Sequence, residues 1–296
     1  MVDALPPLEA TREAARDVVG PHLDGGAVTN IIVLEYHDVV RESQFRSSGF
    51  DEPGADSYKM TCESFDAHLA AVSAASTNVG ATVDVALADV GPSVPKRGAR
   101  TLFTFDDGGV SAISEIAPRL ESHGWVGHFF VTTDRIGTPG FLSEADIRDL
   151  HARGHVVGSH TCSHPVRMSA CSPERLHREW HDSVARLSDI LGTRVSTASV
   201  PGGYHSRVVA EAAASAGIMA LFTSEPTTRV GHVAGCAELG RYTLRRDAPA
   251  SMAAALVGRS RVARVRQWSL WNANKVLKAL GGEAYLKVRA LALGKR

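Results

Sequence analysis

Residues 101 to 109 of the chain are Thr-Leu-Phe-Thr-Phe-Asp-Asp-Gly-Gly. The first five are β-branched, aromatic or aliphatic, which is typical of a strand buried on both faces. The last four form turns, so Asp106 and Asp107 should lie at the carboxyl end of this strand. Two adjacent carboxylates in a confined place repel each other unless a cation or a shared proton intervenes. The pair indicates metal binding or acid–base chemistry, although Asp-Gly is also a common turn dipeptide.

A second strand-like segment, residues 154–159, continues directly into His160-Thr-Cys-Ser-His164-Pro165. If this segment makes a helical turn, the imidazoles of His160 and His164 converge on one ion. With one carboxylate they form a set of two histidines and one carboxylate, which leaves coordination positions open for water and substrate. The chain has 13 histidines, so the pair is a weak signal by itself. Its position after a strand, like that of the aspartates, strengthens the prediction.

These motifs resemble those of the polysaccharide deacetylases, carbohydrate esterase family 4. The resemblance covers roughly residues 98 to 225 and rests on the order, spacing and flanking strands of Thr104–Gly108, Gly127–Val131, Gly154–His155 and Ser159–Pro165. It implies an α/β fold and an irregular and incomplete (β/α) barrel of seven or eight strands, whereas the substrate does not follow from it. It also implies that Asp107, His160 and His164 hold the metal and that Asp106 is the general base.

Apolar strands alternate with helical patterns along the chain, which independently predicts βα units and a parallel sheet or barrel. The predicted strands are Ile31–Glu35, Thr82–Val85, Thr101–Phe105, Val126–Val131, His155–Val157, Val195–Val200, Met219–Thr223 and Leu239–Leu244. The predicted helices are Cys62–Ala75, Ser111–His123, Ser143–Ala152, Pro173–Leu191 and Ser206–Ala216. Function gathers at the carboxyl rim of such barrels, where Asp106, His160, His37 and Pro201–Tyr204 should therefore meet. Arg41–Tyr58 is expected to be a loop at this rim.

The expected chemistry follows from the ligands that the resemblance implies. A divalent ion lowers the pKa of a bound water towards about 7 and polarises a carbonyl oxygen. Asp106 would accept the proton of that water, and a backbone N–H near Gly202 would help to stabilise the oxyanion, within a substrate wall formed by Pro201, Gly202, Gly203 and Tyr204. Zinc is the first choice for nitrogen and oxygen ligands, and other first-row divalent metals also suit the set.

The sequence departs from the family pattern in two places. The family has an arginine two residues before the proline of its third motif, where this chain has Ser199. Arg241 is a candidate substitute that would support Asp106, although a lone arginine usually makes a surface ion pair. The late histidine that protonates the leaving amine in the family is also absent. His37, at the end of the first strand, is the candidate acid, or else it closes a turn.

Composition and charge indicate how the chain is divided. With 296 residues and 44% hydrophobic content, it can bury a sizeable core. Residues 1–258 are expected to form the barrel domain and residues 259–296 a basic helical extension, which has ten Lys or Arg residues against Glu283 alone. The extension is expected to pack on the barrel as a solvated helix, or to dock on an anionic membrane surface or a lipid-linked sugar. No nucleic-acid motif is visible.

The opening residues and the cysteines bear on location. Residues 1–20 contain six charged side chains and lack the apolar core of a signal peptide. Apolar runs of membrane-spanning length are missing, and the four cysteines have no zinc-ribbon spacing. The expected location is the cytoplasm, or the inner face of the membrane in a peripheral position. The sequence does not indicate an oligomeric state.

Three functions stay open at this point. The first is a metal-dependent N-deacetylase acting on an acetamido sugar of a glycolipid, nucleotide sugar or polysaccharide precursor. The second is an amidohydrolase acting on a small amide or cyclic imide, because the changed third motif would reshape the pocket. The third is a non-catalytic carbohydrate-binding protein with a retained metal site. The intact set of Asp106, Asp107, His160 and His164 argues against the third.

Overall fold

The computed structural model describes residues 27–28, 31–89, 99–258 and 261–273. Its strands in chain order are β1 (Ala27–Val28), β2 (Ile31–Tyr36), β3 (Val39–Val40), β4 (Met60–Thr61), β5 (Arg100–Phe105), β6 (Gly127–Val131), β7 (Val156–Ser159), β8 (Thr197–Ser199), β9 (Ala220–Phe222), β10 (Arg229–Val233), β11 (Cys236–Leu239) and β12 (Tyr242–Thr243). β3 and β4 pair separately, and the other ten strands form one sheet.

The large sheet is an open, mostly parallel barrel. Its order is β1-β10-β11-β9-β8-β7-β6-β5-β2-β12, and every pair from β11 to β12 is parallel. β10 and β1 are added antiparallel at one edge. Within the described residues the sheet has two edges that do not pair with each other. The predicted irregular, incomplete (β/α) barrel is therefore confirmed.

Helices cover the sheet, and their ends follow the capping residues. They are Pro53–Asp56, Cys62–Ala75, Val83–Ala88, a π turn Ala112–Ile116 that continues into Ala117–Ser122, Glu144–Ala152, Pro173–Leu191, Arg207–Ser215, Ala250–Val257 and residues 262–273. Ser143 forms a capping box with Asp146, and Gly192 adopts the left-handed conformation that ends the longest of these helices. The five helices predicted from the sequence are present, with bounds within one residue.

Three predicted elements differ from the structure. The sequence predicts a strand over Thr82–Val85, but Thr82 is the residue before the helix Val83–Ala88. The prediction is wrong because the composition of these four residues suits either structure. The segment Leu239–Leu244 is broken by Gly240, so its ends belong to β11 and β12 at different places in the sheet. The Arg41–Tyr58 loop contains one short helix.

The sheet register sets which side chains meet at the rim. Tyr36 lies opposite Phe105, and Phe105 lies opposite Phe129, so the residues that follow β2 and β5 emerge together. Val131 lies opposite Ser159 in the same way, at the end of β7. Because all these strands are parallel, their carboxyl ends lie along one edge of the sheet.

The two predicted parts of the chain are only partly covered by the structure. Of the basic extension, residues 259–260 and 274–296 lie outside the described residues, as do residues 1–26, 29–30 and 90–98 of the predicted barrel domain. The part of the extension that is described forms the helix 262–273. Among the described residues, no helix has both the length and the apolar character needed to cross a bilayer.

Candidate active site

Three potential metal ligands converge at the rim. One ligand atom each of Asp107, His160 and His164 lies within 4.8 Å of the other two. Oδ1 of Asp107 is 3.5 Å from Nε2 of His160 and 3.5 Å from Nε2 of His164. Two ligands bound at about 2.1 Å with a tetrahedral angle are separated by about 3.4 Å. The donor set and its spacing therefore fit one divalent ion.

The backbone around these ligands is unusual. Asp107, Thr161 and His164 have φ of 76°, 67° and 55°, in the left-handed region that non-glycine residues rarely adopt. Residues 160–165 consequently do not form the helical turn proposed from the four-residue spacing. The two histidines converge instead because the backbone at Thr161 and His164 is in the left-handed conformation. Such conformations cost of order 1–3 kcal/mol each and cluster at functional sites.

His160 is oriented by Ser199, the residue that replaces the expected arginine. Nδ1 of His160 is 2.6 Å from the Ser199 hydroxyl and 3.1 Å from the Ser199 carbonyl oxygen. Either oxygen can accept a hydrogen bond from Nδ1–H, which leaves Nε2 as the ligand atom facing Asp107. Burial lowers the pKa of His160 to about 3, so the imidazole is neutral, as a metal ligand must be.

Asp106 is clamped by Arg241. The guanidinium donates from Nη1 to Oδ1 at 2.7 Å and from Nη2 to Oδ2 at 2.8 Å, and the Ser199 hydroxyl donates to Oδ1 at 3.1 Å. Arg241 is completely buried. Burial by itself would raise the pKa of Asp106, but the positive charge of Arg241 and its hydrogen bonds hold the pKa below its ordinary value. The carboxylate is therefore ionised and fixed in direction, and the candidate substitute from the sequence does contact it.

Arg241 also faces a second buried carboxylate, which the sequence analysis did not single out. Nη2 of Arg241 is 3.5 Å from Oε1 of Glu35. Thr243 donates to the other oxygen of Glu35 at 2.8 Å, and Ser224 donates to Oε1 at 3.3 Å. One guanidinium thus lies between two carboxylates. The sequence signal that could have identified Glu35 is its position inside the strand β2, whose other residues are apolar or aromatic.

His37 lies beside Glu35 and Asp106 at the rim. Ligand atoms of Glu35, His37 and Asp106 are within 4.8 Å of one another. The ring of His37 packs on Tyr58 with centroids 4.6 Å apart, and its buried Nδ1 has no hydrogen-bond partner among the described residues. Burial raises the pKa of Asp107, and the charge of His37 opposes this rise. A half-buried imidazole with a spare nitrogen beside two aspartates is suited to proton transfer.

The third motif forms a tight turn next to the histidine segment. Pro201–Gly203 make one turn of 3₁₀ helix, with Gly202 at φ 63°. A Cβ on Gly202 would lie 3.2 Å from the carbonyl oxygen of Val166, two residues beyond His164. Arg167 stacks over the ring of Tyr204 at 5.3 Å. The turn is therefore adjacent to the ligand-bearing loop, and a role of its N–H groups in oxyanion binding stays a prediction.

Comparison with known sequences identifies the same segment of the chain. Residues 93–221 match the family model described as polysaccharide deacetylase. Over 108 residues, or 36% of this chain and 4% of its relative, the chain is 35% identical to a gellan lyase of a Bacillus species. It is 26% identical over 145 residues to YxkH of Bacillus subtilis (strain 168), named as a candidate polysaccharide deacetylase, covering 49% of this chain and 50% of that protein. The chain thus spans half or less of the length of these relatives.

Solved structures show the same fold. IcaB from Ammonifex degensii superposes with a TM-score of 0.63 at 21% identity, over 77% of this chain and 96% of that one. The Streptococcus pyogenes deacetylase PplD, solved in complex with acetate, superposes with a TM-score of 0.62 at 18% identity, over 75% and 95% of the two chains. The resemblance in motifs, the family match and the shared fold agree. Residues 93–221, somewhat less than half of the chain, thus match the polysaccharide deacetylase family, and the fold is that of solved deacetylases.

Proposed function

We propose that the chain is a metal-dependent hydrolase that removes the N-acetyl group from an acetamido sugar. The observation that carries this proposal is the convergence of Asp107, His160 and His164, with the ionised Asp106 beside them. The family supports deacetylation of a carbohydrate. The sugar itself, in a glycolipid, nucleotide sugar or polysaccharide precursor, is part of the proposal.

The donor set favours a metal with mixed nitrogen and oxygen ligands. Two neutral imidazoles and one carboxylate suit Zn²⁺ first and other first-row divalent ions next, and they leave positions open. When bound, such an ion polarises the amide carbonyl and activates the attacking water. A bound cation would neutralise the negative charge of Asp107, and the repulsion between the adjacent buried carboxylates of Asp106 and Asp107 would then be relieved.

The side chains around the ligands supply the proton transfers. Asp106, held ionised by Arg241, accepts the proton of the attacking water. His37 then donates a proton to the amine nitrogen as the C–N bond breaks, so that acetate and a free amine leave. The Pro201–Gly203 turn offers N–H groups for the developing oxyanion, and Tyr204 offers a ring for the sugar.

Acetate release tests the proposal. The protein loaded with Zn²⁺ is incubated with N-acetyl sugars, small amides and cyclic imides, with and without a chelator. Chelator-sensitive acetate from the sugars supports the deacetylase. Turnover restricted to amides or imides would favour the alternative amidohydrolase, and sugar binding without any turnover would favour a carbohydrate-binding protein.

A further inference from the structure

The helix 262–273 carries an outward surface that the proposed reaction does not use. Its side chains Val265, Trp268 and Leu270 are exposed by 58%, 48% and 56%. Within the described part of the chain, four of the eight exposed large apolar side chains lie on this helix, the fourth being Val262. Exposed apolar side chains scattered singly are ordinary, whereas a concentration of them marks an interaction surface.

The contacts of this helix with the barrel fix which side faces outward. Ala263 packs against the hydrophobic core, and one turn later Gln267 donates from Nε2 to the carbonyl oxygen of Thr243 at 2.7 Å. Arg264 donates to the carbonyl oxygen of Leu256 at 3.1 Å. Val265 lies on the side of the helix away from these contacts, and Trp268, three residues further on, lies next to it. We call Val265, Trp268 and the exposed Arg261 and Arg266 the outer surface. The outer surface is therefore fixed by packing.

The charge of this region has one sign. Arg261 and Arg266 are exposed beside the apolar side chains. The sequence contains no Asp or Glu between Asp247 and Glu283, and residues 259–296 have ten Lys or Arg residues. A basic helix with exposed valine, leucine and tryptophan has the composition of helices that lie in the headgroup region of anionic bilayers. Each Lys or Arg near such a surface adds about 1 kcal/mol of attraction.

The helix 262–273 is attached to the barrel near the candidate active site. Thr243 accepts the hydrogen bond of Gln267 at its carbonyl and donates through its hydroxyl to Glu35. Glu35 in turn contacts Arg241, which holds Asp106. A helix attached at this point brings any surface it binds close to the rim.

We propose that the outer surface of the 262–273 helix docks on an anionic lipid bilayer. Two copies of the chain meeting through this surface would bring uncompensated arginines together, and like charges in contact cost several kcal/mol. Anionic headgroups neutralise those arginines while the acyl region accepts the apolar side chains. The inference concerns binding alone and does not depend on deacetylation.

Co-sedimentation of the full chain with vesicles tests the proposal. The chain should partition onto phosphatidylcholine vesicles that contain phosphatidylglycerol and far more weakly onto phosphatidylcholine alone. Arg266→Glu should lower the partition coefficient at least about fivefold and Val265→Asp by more, because the latter loses apolar contact and adds a negative charge. Matched controls are Arg207→Glu and Val208→Asp, since Arg207 and Val208 are exposed on another helix and should leave binding unchanged.

A second measurement reports on insertion. Brominated acyl chains should quench the fluorescence of wild-type protein bound to anionic vesicles, and Trp268→Phe should reduce this quenching, because Trp180 is fully buried and Trp125 and Trp271 are partly buried. Equal binding to both vesicle types, or equal losses in test and control variants, would overturn the proposal. So would a Val265→Asp variant that abolishes self-association in sedimentation velocity while binding vesicles normally. Asp107→Ala should bind vesicles like wild type. The result for membrane binding is therefore independent of whether the proposed deacetylation occurs.

Discussion

Replacing Arg241 by methionine tests the structural account of the site most directly. The change removes a guanidinium that makes two hydrogen bonds of 2.7 and 2.8 Å to Asp106 and lies 3.5 Å from Glu35. Arg241 is completely buried, and both carboxylates are nearly so. Removing one partner of a buried ion pair leaves an uncompensated charge and costs about 3–5 kcal/mol. We expect the free energy of unfolding of Arg241→Met to fall by about that amount.

The assay is urea unfolding of metal-free protein, followed by circular dichroism. Arg207→Met is the control, since Arg207 forms an exposed ion pair with Glu211 whose loss should cost less than about 1 kcal/mol. In a double-mutant cycle with Asp106→Asn, the two changes should couple by about 2 kcal/mol or more. A loss for Arg241→Met no larger than that of the control, or additive effects in the cycle, would refute the assignment of Arg241 as the partner of Asp106.

Four further outcomes are expected. Asp107→Ala should lose bound zinc in equilibrium dialysis, whereas Asp106→Asn should keep it and lose about 10²–10⁴ in rate; full activity of the latter would exclude it as the base. Ser199→Ala should weaken zinc binding by about 10–100-fold and Ser199→Thr should restore it, because the hydroxyl orients the histidine ligand. His37→Ala should keep the metal and lose kcat, and unchanged kcat would eliminate it as the acid. Burial lowers the pKa of His128 to about 4, so the unfolded chain binds more protons at this residue below about pH 6.5. His128 should therefore contribute a loss of roughly 3 kcal/mol to the free energy of unfolding as the pH drops from there towards 4, and His128→Gln should lack that part of the pH dependence in urea unfolding.

The convergence of the ligand set followed from sequence because it depends on local rules. A buried strand that ends in Asp106-Asp107 and another that ends before His160 must place those residues on one edge once both strands are parallel. The partners of these residues depend on the curl of the whole sheet. Arg241 reaches Asp106, 135 positions away, because β12 pairs with β2 at the sheet edge. No local pattern encodes that pairing.

Other differences have equally physical causes. The Thr82–Val85 segment suits a strand by composition, but Thr82 precedes a short helix, and the chain pairs with β5 earlier, at Val79. The sequence shows that Ser199 replaces the arginine of the family pattern, but its contacts with His160 and Asp106 can be seen only in the folded structure. The cytoplasmic location, the native metal and the identity of the sugar stay predictions.

The clamp on Asp106 has a practical consequence for dissecting this chain. A fragment trimmed to residues 93–221 would retain the three ligands but would omit His37, Glu35 and Arg241. In such a fragment the carboxylate of Asp106 would lack the positive charge of Arg241. A fragment that keeps the ion pair of Arg241 with Asp106 and Glu35 therefore extends from β2 to β12, well beyond the segment that similarity alone would select for expression.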